Sequence, residues 1–149
     1  MNTIETLAIR KATAIDFAYI RKLPVHLSSP AASTLFPRRF RAMLQDRNCR
    51  LVVFENEGRL SAFAALNFRP ELQSAVRFLV LDYFAVDHFA LSQGVAAELE
   101  EKAGEIAREN ACIALLASAT GLSERAQGFY QQRGFELNGD TLIKKLNEI

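Results

Sequence analysis

Several residue types are scarce in this sequence, and their scarcity excludes large classes of protein. Among 149 residues there is no Trp, and there are only 2 Cys, 4 Pro and 7 Gly. So little Pro and Gly, in a chain that is 50% hydrophobic, excludes collagen-like, low-complexity and disordered chains. Cys49 and Cys112 lie far apart, which favours two reduced thiols in a cytosolic protein over a disulfide framework.

Long apolar runs and an excess of one charge are also missing. Asp82 and Asp87 interrupt the best candidate for a membrane span, which would need roughly 18 uncharged apolar residues. Glu5 and Arg10 stand where a signal peptide would have its apolar core. The 18 Lys and Arg nearly balance the 17 Asp and Glu, whereas a dedicated nucleic-acid binder is strongly basic. These features predict a cytoplasmic protein that binds neither membranes nor nucleic acid.

The motifs of the commonest metal and nucleophile sites are absent as well. No H-E-x-x-H, C-x-x-C, G-x-S-x-G or G-x-x-x-x-G-K-[ST] pattern occurs in the chain. His26 and His88 each lack a carboxylate or a cysteine at a readable spacing, so neither is a strong candidate for a catalytic base. We therefore expect no metal site and no zinc-protease, thiol-redox, hydrolase or P-loop chemistry.

The N-terminal part of the chain predicts a strand and two short helices. Residues 7–12 have the pattern of a short strand, and Thr13 followed by Asp16 forms a helix-capping pattern. The buried face of this first helix is predicted by apolar residues at helical spacing, namely Ile15, Ala18, Tyr19 and Leu23. A loop rich in Ser, Ala and Pro, typical of substrate loops, precedes a second short helix expected over residues 36–46.

The rest of the chain alternates strand-like and helical patterns. Residues 51–54 and 60–68 are apolar runs separated by a turn in which Gly58 can adopt a positive φ, so they predict an antiparallel hairpin. The further elements are predicted in the order strand 76–86, helix from 95, strand 112–117, helix 123–132 and strand 141–146. The strand–helix–strand order predicts a parallel pair with a right-handed crossover. Residues 1–149 thus predict one mixed α/β domain, long enough to bury roughly 70% of its unfolded surface.

The turn after the long strand has the properties of an anion site. A buried strand is predicted to end at Val86, and Gly94 opens a long helix without a side chain that would obstruct an approach. Backbone N–H groups at such a helix start face outward, with the positive end of the helix dipole behind them, which suits a pyrophosphate. An ordinary strand-to-helix turn that uses Gly for its geometry is the alternative interpretation.

Three stretches taken together resemble the motifs of a known family. Residues 126–135, A-Q-G-F-Y-Q-Q-R-G-F, match the pattern A-x-x-[FL]-Y-x-x-x-G-F, and residues 86–96 resemble V-x-P-x-Y-[RQ]-x-x-G-x-[GA]. The opening residues 9–13, followed by Asp16, are similar to a common first strand and helix start. In this order and at these separations, over nearly the whole chain, they resemble the GNAT N-acetyltransferase superfamily. Leu91 departs from the pattern, because the superfamily usually has Arg or Gln there.

The resemblance implies a fold and a reaction. The fold is α/β of the α+β kind, with a mixed and mostly antiparallel sheet flanked by helices and a splayed parallel strand pair at the cofactor site. The reaction is direct transfer of an acetyl group from acetyl-CoA to a small amine or amino-acid-like acceptor, and a homodimer is compatible with it. Two alternatives stay open: a degenerate module that binds CoA or a partner protein without turnover, and a protein or tRNA acetyltransferase.

The resemblance also implies which residues hold acetyl-CoA. The pantetheine arm lies beside the strand that ends at Val86, where a backbone N–H polarises the thioester carbonyl. Backbone amides of the following turn bind the pyrophosphate. The implied cofactor-binding residues are Phe84, Ala85, Val86, Leu91, Ser92, Gln93, Gly94, Val95, Ala96 and Ser123.

One tyrosine stands at the superfamily's general-acid position. The resemblance implies that the hydroxyl of Tyr130 protonates the departing CoA thiolate. A packed aromatic residue beside Phe129 and Phe135 is the alternative interpretation.

Asp82 is the one acid in an otherwise apolar strand, where period-two spacing predicts a face shared with Val80, Phe84 and Val86. A buried lone carboxylate is costly unless it is paired or functional. We interpret Asp82 as a candidate base that deprotonates the incoming amine, and a structural hydrogen-bond acceptor is an equally good interpretation.

A basic cluster follows the predicted substrate loop and comprises Arg38, Arg39, Arg41 and Arg47. The resemblance implies that this segment lines the acceptor site. Arg38 and Arg41 lie three apart on one helical face, so they are the predicted substrate-binding pair for a carboxylate or phosphonate, with Arg39 turned towards solvent. A solvated helix face is the alternative interpretation.

Overall fold

The apolar runs of the chain form seven strands in the computed structural model, which describes residues 8–25, 27–28, 37–70 and 76–146. The strands are β1 (Ile9–Lys11), β2 (Cys49–Asn56), β3 (Arg59–Pro70), β4 (Arg77–Val86), β5 (Cys112–Ser118), β6 (Glu136–Asn138) and β7 (Thr141–Lys145). They pair into one sheet in the order β1-β2-β3-β4-β5-β7-β6, in which only the β4–β5 pair is parallel.

Within the described residues, five α-helices lie between the strands. They are α1 (Phe17–Ile20), which continues a 3₁₀ turn at Ala14–Asp16, α2 (Pro37–Gln45), α3 (His88–Ser92), α4 (Val95–Glu109) and α5 (Glu124–Gln132). Neighbouring residues of β4 build an apolar layer on each face of the sheet: Phe84 packs in one cluster with Leu99 of α4, and Tyr83 packs in the other with Phe40 of α2. The predicted α+β fold is therefore confirmed, with helices on both faces of a mostly antiparallel sheet.

Local signals determine the connections as predicted. Glu57 and Gly58 have φ values of 55° and 78°, the pair of positive values that a two-residue type I′ hairpin between β2 and β3 requires. The crossover through α4 makes β4 and β5 parallel. Ser123 begins α5, because its hydroxyl accepts the N–H of Ala126 at 3.1 Å.

The first helix buries a different face from the one predicted. Ile15 is 79% exposed, whereas Ile20 is fully buried. The buried face includes Asp16, whose carboxylate accepts hydrogen bonds from both terminal nitrogens of Arg10, at 2.8 and 3.0 Å. Selecting only apolar residues for the buried face misses this one, because the ion pair with Arg10 allows the Asp16 carboxylate to be buried one helical turn before Ile20.

Two short elements, α3 and β6, were not predicted. Among the described residues no helix is both long and apolar enough to cross a bilayer. His26 and residues 29–36, which belong to or adjoin the predicted substrate loop, lie outside the described residues.

Candidate active site

A β-bulge in the middle of β4 changes which side chains share a face. Ala65 of β3 pairs with Tyr83, but the next residue of β3 pairs with Leu81, so Asp82 is an extra residue on β4. Beyond the bulge, Phe84 and Val86 lie on the α4 side of the sheet. The predicted grouping of Asp82 with these two residues was therefore wrong, because period-two counting fails across a bulge.

β4 and β5 separate just before this bulge. Their parallel pairing runs from Arg77 to Val80, which is opposite Leu116, and then stops, while β5 continues its pairing with β7. A cavity of about 180 Å³ opens in the gap. Its walls are Leu27, Ser28, Arg69, Val80, Leu81, Asp82, Leu116, Ala117, Ser118 and Thr141.

The edge of β4 that faces this gap carries backbone groups of two residues. The N–H of Asp87 donates to the carbonyl of Ser61 on β3 at 3.0 Å, so Asp87 and Ala85 direct their hydrogen bonds towards β3. Phe84 and Val86, which alternate with Ala85 and Asp87 along the strand, direct theirs into the gap. Of the three strand residues expected to contact CoA, Ala85 therefore offers no backbone group to the gap.

A segment from the loop after α1 satisfies this edge. The N–H of Val86 donates to the carbonyl of Pro24 at 3.1 Å. The hydroxyl of Ser28 accepts the N–H of Phe84 and donates to the Phe84 carbonyl, the latter at 3.1 Å. The neighbouring carbonyl, that of Leu27, accepts the hydroxyl of Tyr130. The segment thus joins the β4 edge to the tyrosine through consecutive residues, whose Cα atoms are about 3.8 Å apart.

Tyr130 lies on α5 and is fully buried. Its ring packs edge-on against Phe129 and Phe135, with ring centroids 5.3 and 5.1 Å away. Burial, and secondarily the charge of Glu100, raises the pKa of the Tyr130 hydroxyl above its usual value. The hydroxyl therefore stays protonated at neutral pH, which is the state a general acid requires.

A buried ion-pair network holds α5 in place. Glu100 of α4 is fully buried and accepts the Nε of Arg133 and the Nζ of Lys144, each at 2.8 Å. These contacts connect α4 to the end of α5 and to β7, so they position the helix that carries Tyr130. Sequence reasoning missed Glu100, because its charged neighbours belong to the solvent-facing side of the same helix.

Asp82 is neither buried nor alone, contrary to expectation. Its side chain is exposed at the cavity and receives a hydrogen bond from the side chain of Asn67. Desolvation by the surrounding walls raises the pKa of the Asp82 carboxyl, and the Asn67 contact and the charges of Arg69 and Arg39 act in the opposite direction. A carboxylate with a raised pKa at a cavity wall is suited to accept a proton.

The arginines around the cavity are not the expected pair. Arg38 and Arg41 are exposed on α2, and neither is among the described residues that line the cavity. Arg39, which was expected to face solvent without a role, is the α2 arginine whose charge lowers the pKa of Asp82. Arg69 of β3 lines the cavity itself, and sequence analysis missed it because it looked like the polar end of a strand.

The turn between β4 and α4 offers a narrower set of amides than expected. Leu91 and Gln93 donate their N–H groups to the carbonyls of Asp87 and Phe89, at 3.1 and 3.0 Å, within and just after α3. Gly94 has φ 77°, and the first hydrogen bond of α4 runs from Glu98 to Gly94 at 3.1 Å. The N–H groups to which α4 itself gives no partner at this helix start are therefore those of Val95, Ala96 and Ala97.

Two further side chains that were expected to contact the cofactor make contacts within the protein. Leu91 packs against the apolar core on the α4 side, and the hydroxyl of Ser123 caps α5. A third residue of the expected set, Ser92, is the last residue of α3.

Neither a disulfide nor a cluster of metal-ligating side chains is found in the part of the chain that the structure describes. Cys49 and Cys112 are both free thiols. Within the described ranges no three residues of the His, Cys, Asp or Glu type form a group that could hold a metal ion.

A model of a known protein family matches most of the sequence. The model of the GNAT acetyltransferase family matches residues 17–135. The chain belongs to the GNAT acetyltransferase family. No curated protein matches its sequence.

Solved GNAT structures have the same fold at low sequence identity. A GNAT-family protein from Desulfovibrio desulfuricans has a TM-score of 0.75 at 16% identity, covering 94% of this chain and 98% of its own. Glucosamine-6-phosphate N-acetyltransferase from Arabidopsis thaliana has a TM-score of 0.68 at 15% identity, covering 88% and 92%. The toxin AtaT, solved with acetyl-CoA and the C-terminus of the antitoxin AtaR, has a TM-score of 0.63 at 19% identity, covering 92% and 91%. Identities this low support the shared fold alone.

Proposed function

We propose that this GNAT protein transfers an acetyl group from acetyl-CoA directly to the amine of a small, amino-acid-like acceptor. The observation that carries the proposal is the gap between β4 and β5, which is lined by Asp82 and bordered by the backbone of Phe84. Tyr130 is connected to the same edge through Leu27 and Ser28.

The groups around the gap match the parts of acetyl-CoA. The backbone groups of Phe84 and Val86 can pair with the pantetheine amides as a further strand would, and an N–H at this edge can stabilise negative charge on the thioester oxygen. The amides of Val95, Ala96 and Ala97 can hold the pyrophosphate at the helix start.

Two side chains supply the proton transfers. The acceptor nitrogen attacks the thioester carbonyl carbon, so that a C–N bond forms as the C–S bond breaks. Asp82 accepts the proton that the amine loses, and Tyr130 donates one to the departing sulfur. The proton on Asp82 returns to the tyrosine through solvent, and the products are an acetylated amine and the free thiol of CoA.

A CoA-binding module without turnover is the second candidate function. It is favoured by Leu91, which packs into the core where the family usually has a polar side chain. Calorimetric titration with acetyl-CoA, alongside CoA release with a panel of amines, separates the two. Binding without release for any amine supports the module, and amine-dependent release supports the enzyme.

Replacing Gly94 with valine should weaken CoA affinity by at least about 10-fold, because a branched side chain obstructs the approach to the amides and disfavours the observed φ of 77°. Calorimetry with CoA measures the effect. Gly58→Val is the matched control, since Gly58 has φ 78° in the hairpin between β2 and β3 and not at the helix start, and no atom lies within 4 Å of a Cβ built at either position. Equal CoA affinity in the two variants would place the pyrophosphate elsewhere.

Replacing Ser28 with alanine should tighten acetyl-CoA binding by about 2- to 10-fold. The pantetheine can pair with β4 only after the Ser28 hydroxyl leaves the backbone of Phe84, and the variant no longer pays for breaking those hydrogen bonds. Ser61→Ala, which removes another buried hydroxyl on β3, is the control. Unchanged affinity in a folded Ser28→Ala protein would mean that this segment does not compete with pantetheine.

A further inference from the structure

Asn67 and Arg69 lie two residues apart on β3. Asn67 pairs with Val80 of β4 and Arg69 pairs with Phe78, so the four side chains share one face of the sheet. The hydrogen bond from Asn67 brings Asp82 to this face. An anionic and a cationic side chain therefore lie near one another at this end of the gap. Both Asp82 and Arg69 line the 180 Å³ cavity.

A second cavity, of about 330 Å³, adjoins the first. The two cavities share Arg69, Leu116 and Thr141 as wall residues, so Arg69 lies at their junction. The guanidinium can reach a ligand in either space, whereas Asp82 lines only the cavity within the strand gap. The site thus has a negative group near the reacting end and a positive group farther along.

We propose that Arg69 binds an anionic group of the acceptor, so that the acceptor is an amine that also carries a carboxylate or phosphonate. This assignment rests on the proposed acetyl transfer and names its acceptor class. Because Asp82 and Arg69 line the same small cavity, both can contact one acceptor in which two or three bonds separate the ammonium from the anionic group.

The planar guanidinium suits this role, because it can donate two parallel hydrogen bonds to a carboxylate or phosphonate. Holding the anionic end also orients the amine towards the thioester, which lowers the entropy cost of the reaction. The pair Arg38 and Arg41 on α2 competes for the same role.

Matched pairs of acceptors that differ only in the anionic group test the assignment. Suitable pairs are L-serine with ethanolamine, L-leucine with isoamylamine, and 2-aminoethylphosphonate with ethylamine. We expect higher kcat/KM for the charged member of a pair, and a rise of about 10- to 100-fold in its KM when Arg69 is replaced by Gln. The KM of the neutral partner should stay within about twofold, and Arg69→Lys should recover part of the loss.

Three control variants separate the outcomes. Arg108→Gln removes a charge from an exposed position on α4 and should leave the KM of both acceptors unchanged. Arg38→Gln and Arg41→Gln test the competing pair of arginines. Equal loss for both members of a pair in Arg69→Gln would mean that Arg69 only adjusts Asp82, and selective loss in Arg38→Gln or Arg41→Gln would move the anion site to α2. Either result overturns the assignment of the anion site to Arg69, while acetyl transfer stands. Absence of CoA release with every acceptor would instead contradict the proposed function.

Discussion

Turnover should fall by about 10²–10⁴-fold when Tyr130 is replaced by phenylalanine, because the departing CoA thiolate loses its proton donor. The affinity for acetyl-CoA should not weaken. The removed hydroxyl donates to Leu27, so its loss frees the segment that covers the β4 edge. Steady-state kinetics and calorimetry on the same preparation measure the two quantities.

Tyr83→Phe is the matched control for this prediction. Tyr83 is also buried and burial raises its pKa, but it lies in the apolar layer on the opposite face of the sheet. Its variant should retain turnover within about twofold. If Tyr130→Phe behaves the same way, Tyr130 is a packed aromatic residue and the general acid is another group.

Asp82→Asn should lower kcat/KM by about 10²-fold at pH values below the pKa of the acceptor amine, and by less above it. At high pH the amine is already deprotonated and needs no base. The carboxylate can accept a proton only above its own pKa, which desolvation raises above the usual aspartate value. The difference between the two proteins should therefore be largest between these two pKa values, which a pH–rate profile measures.

The raised pKa of Asp82 also predicts that Asp82→Asn does not lower the free energy of unfolding at neutral pH. A carboxyl whose pKa is higher in the folded than in the unfolded state stabilises the fold at low pH, and this contribution is lost as pH rises through the folded pKa. The neutral amide avoids that loss. Thermal unfolding at two pH values checks it, with Asp46→Asn in an exposed loop as the charge-matched control. If the pH–rate profiles of the two proteins have equal shape and height, the role of Asp82 is structural.

Most of the fold could be predicted because its signals are local. A hairpin turn at Gly58 and a capping serine at position 123 depend on a few consecutive residues, and each was confirmed. Alternating and helical periodicities likewise indicated the long strands and α4. The family motif that contains Tyr130 is also contiguous, so the sequence was enough to indicate the family.

The arrangement of the site depends on contacts between distant parts of the chain. The hydrogen bond between Tyr130 and Leu27 joins residues 103 positions apart, and that between Ser28 and Phe84 joins residues 56 positions apart. No local pattern encodes such a pairing. The segment that covers the β4 edge became visible only in the tertiary structure.

By itself, the sequence determined the order of the main elements and the family, and it indicated Tyr130 as the candidate general acid, since each rests on neighbouring residues. The tertiary structure decided the environment of Asp82, because the bulge that turns it arises from the register between β3 and β4. It also decided which arginine lines the cavity: Arg69 does so through that same register, whereas Arg38 and Arg41 lie on α2 and are not among the lining residues. Register and splay are properties of paired strands, and a single strand's periodicity does not contain them.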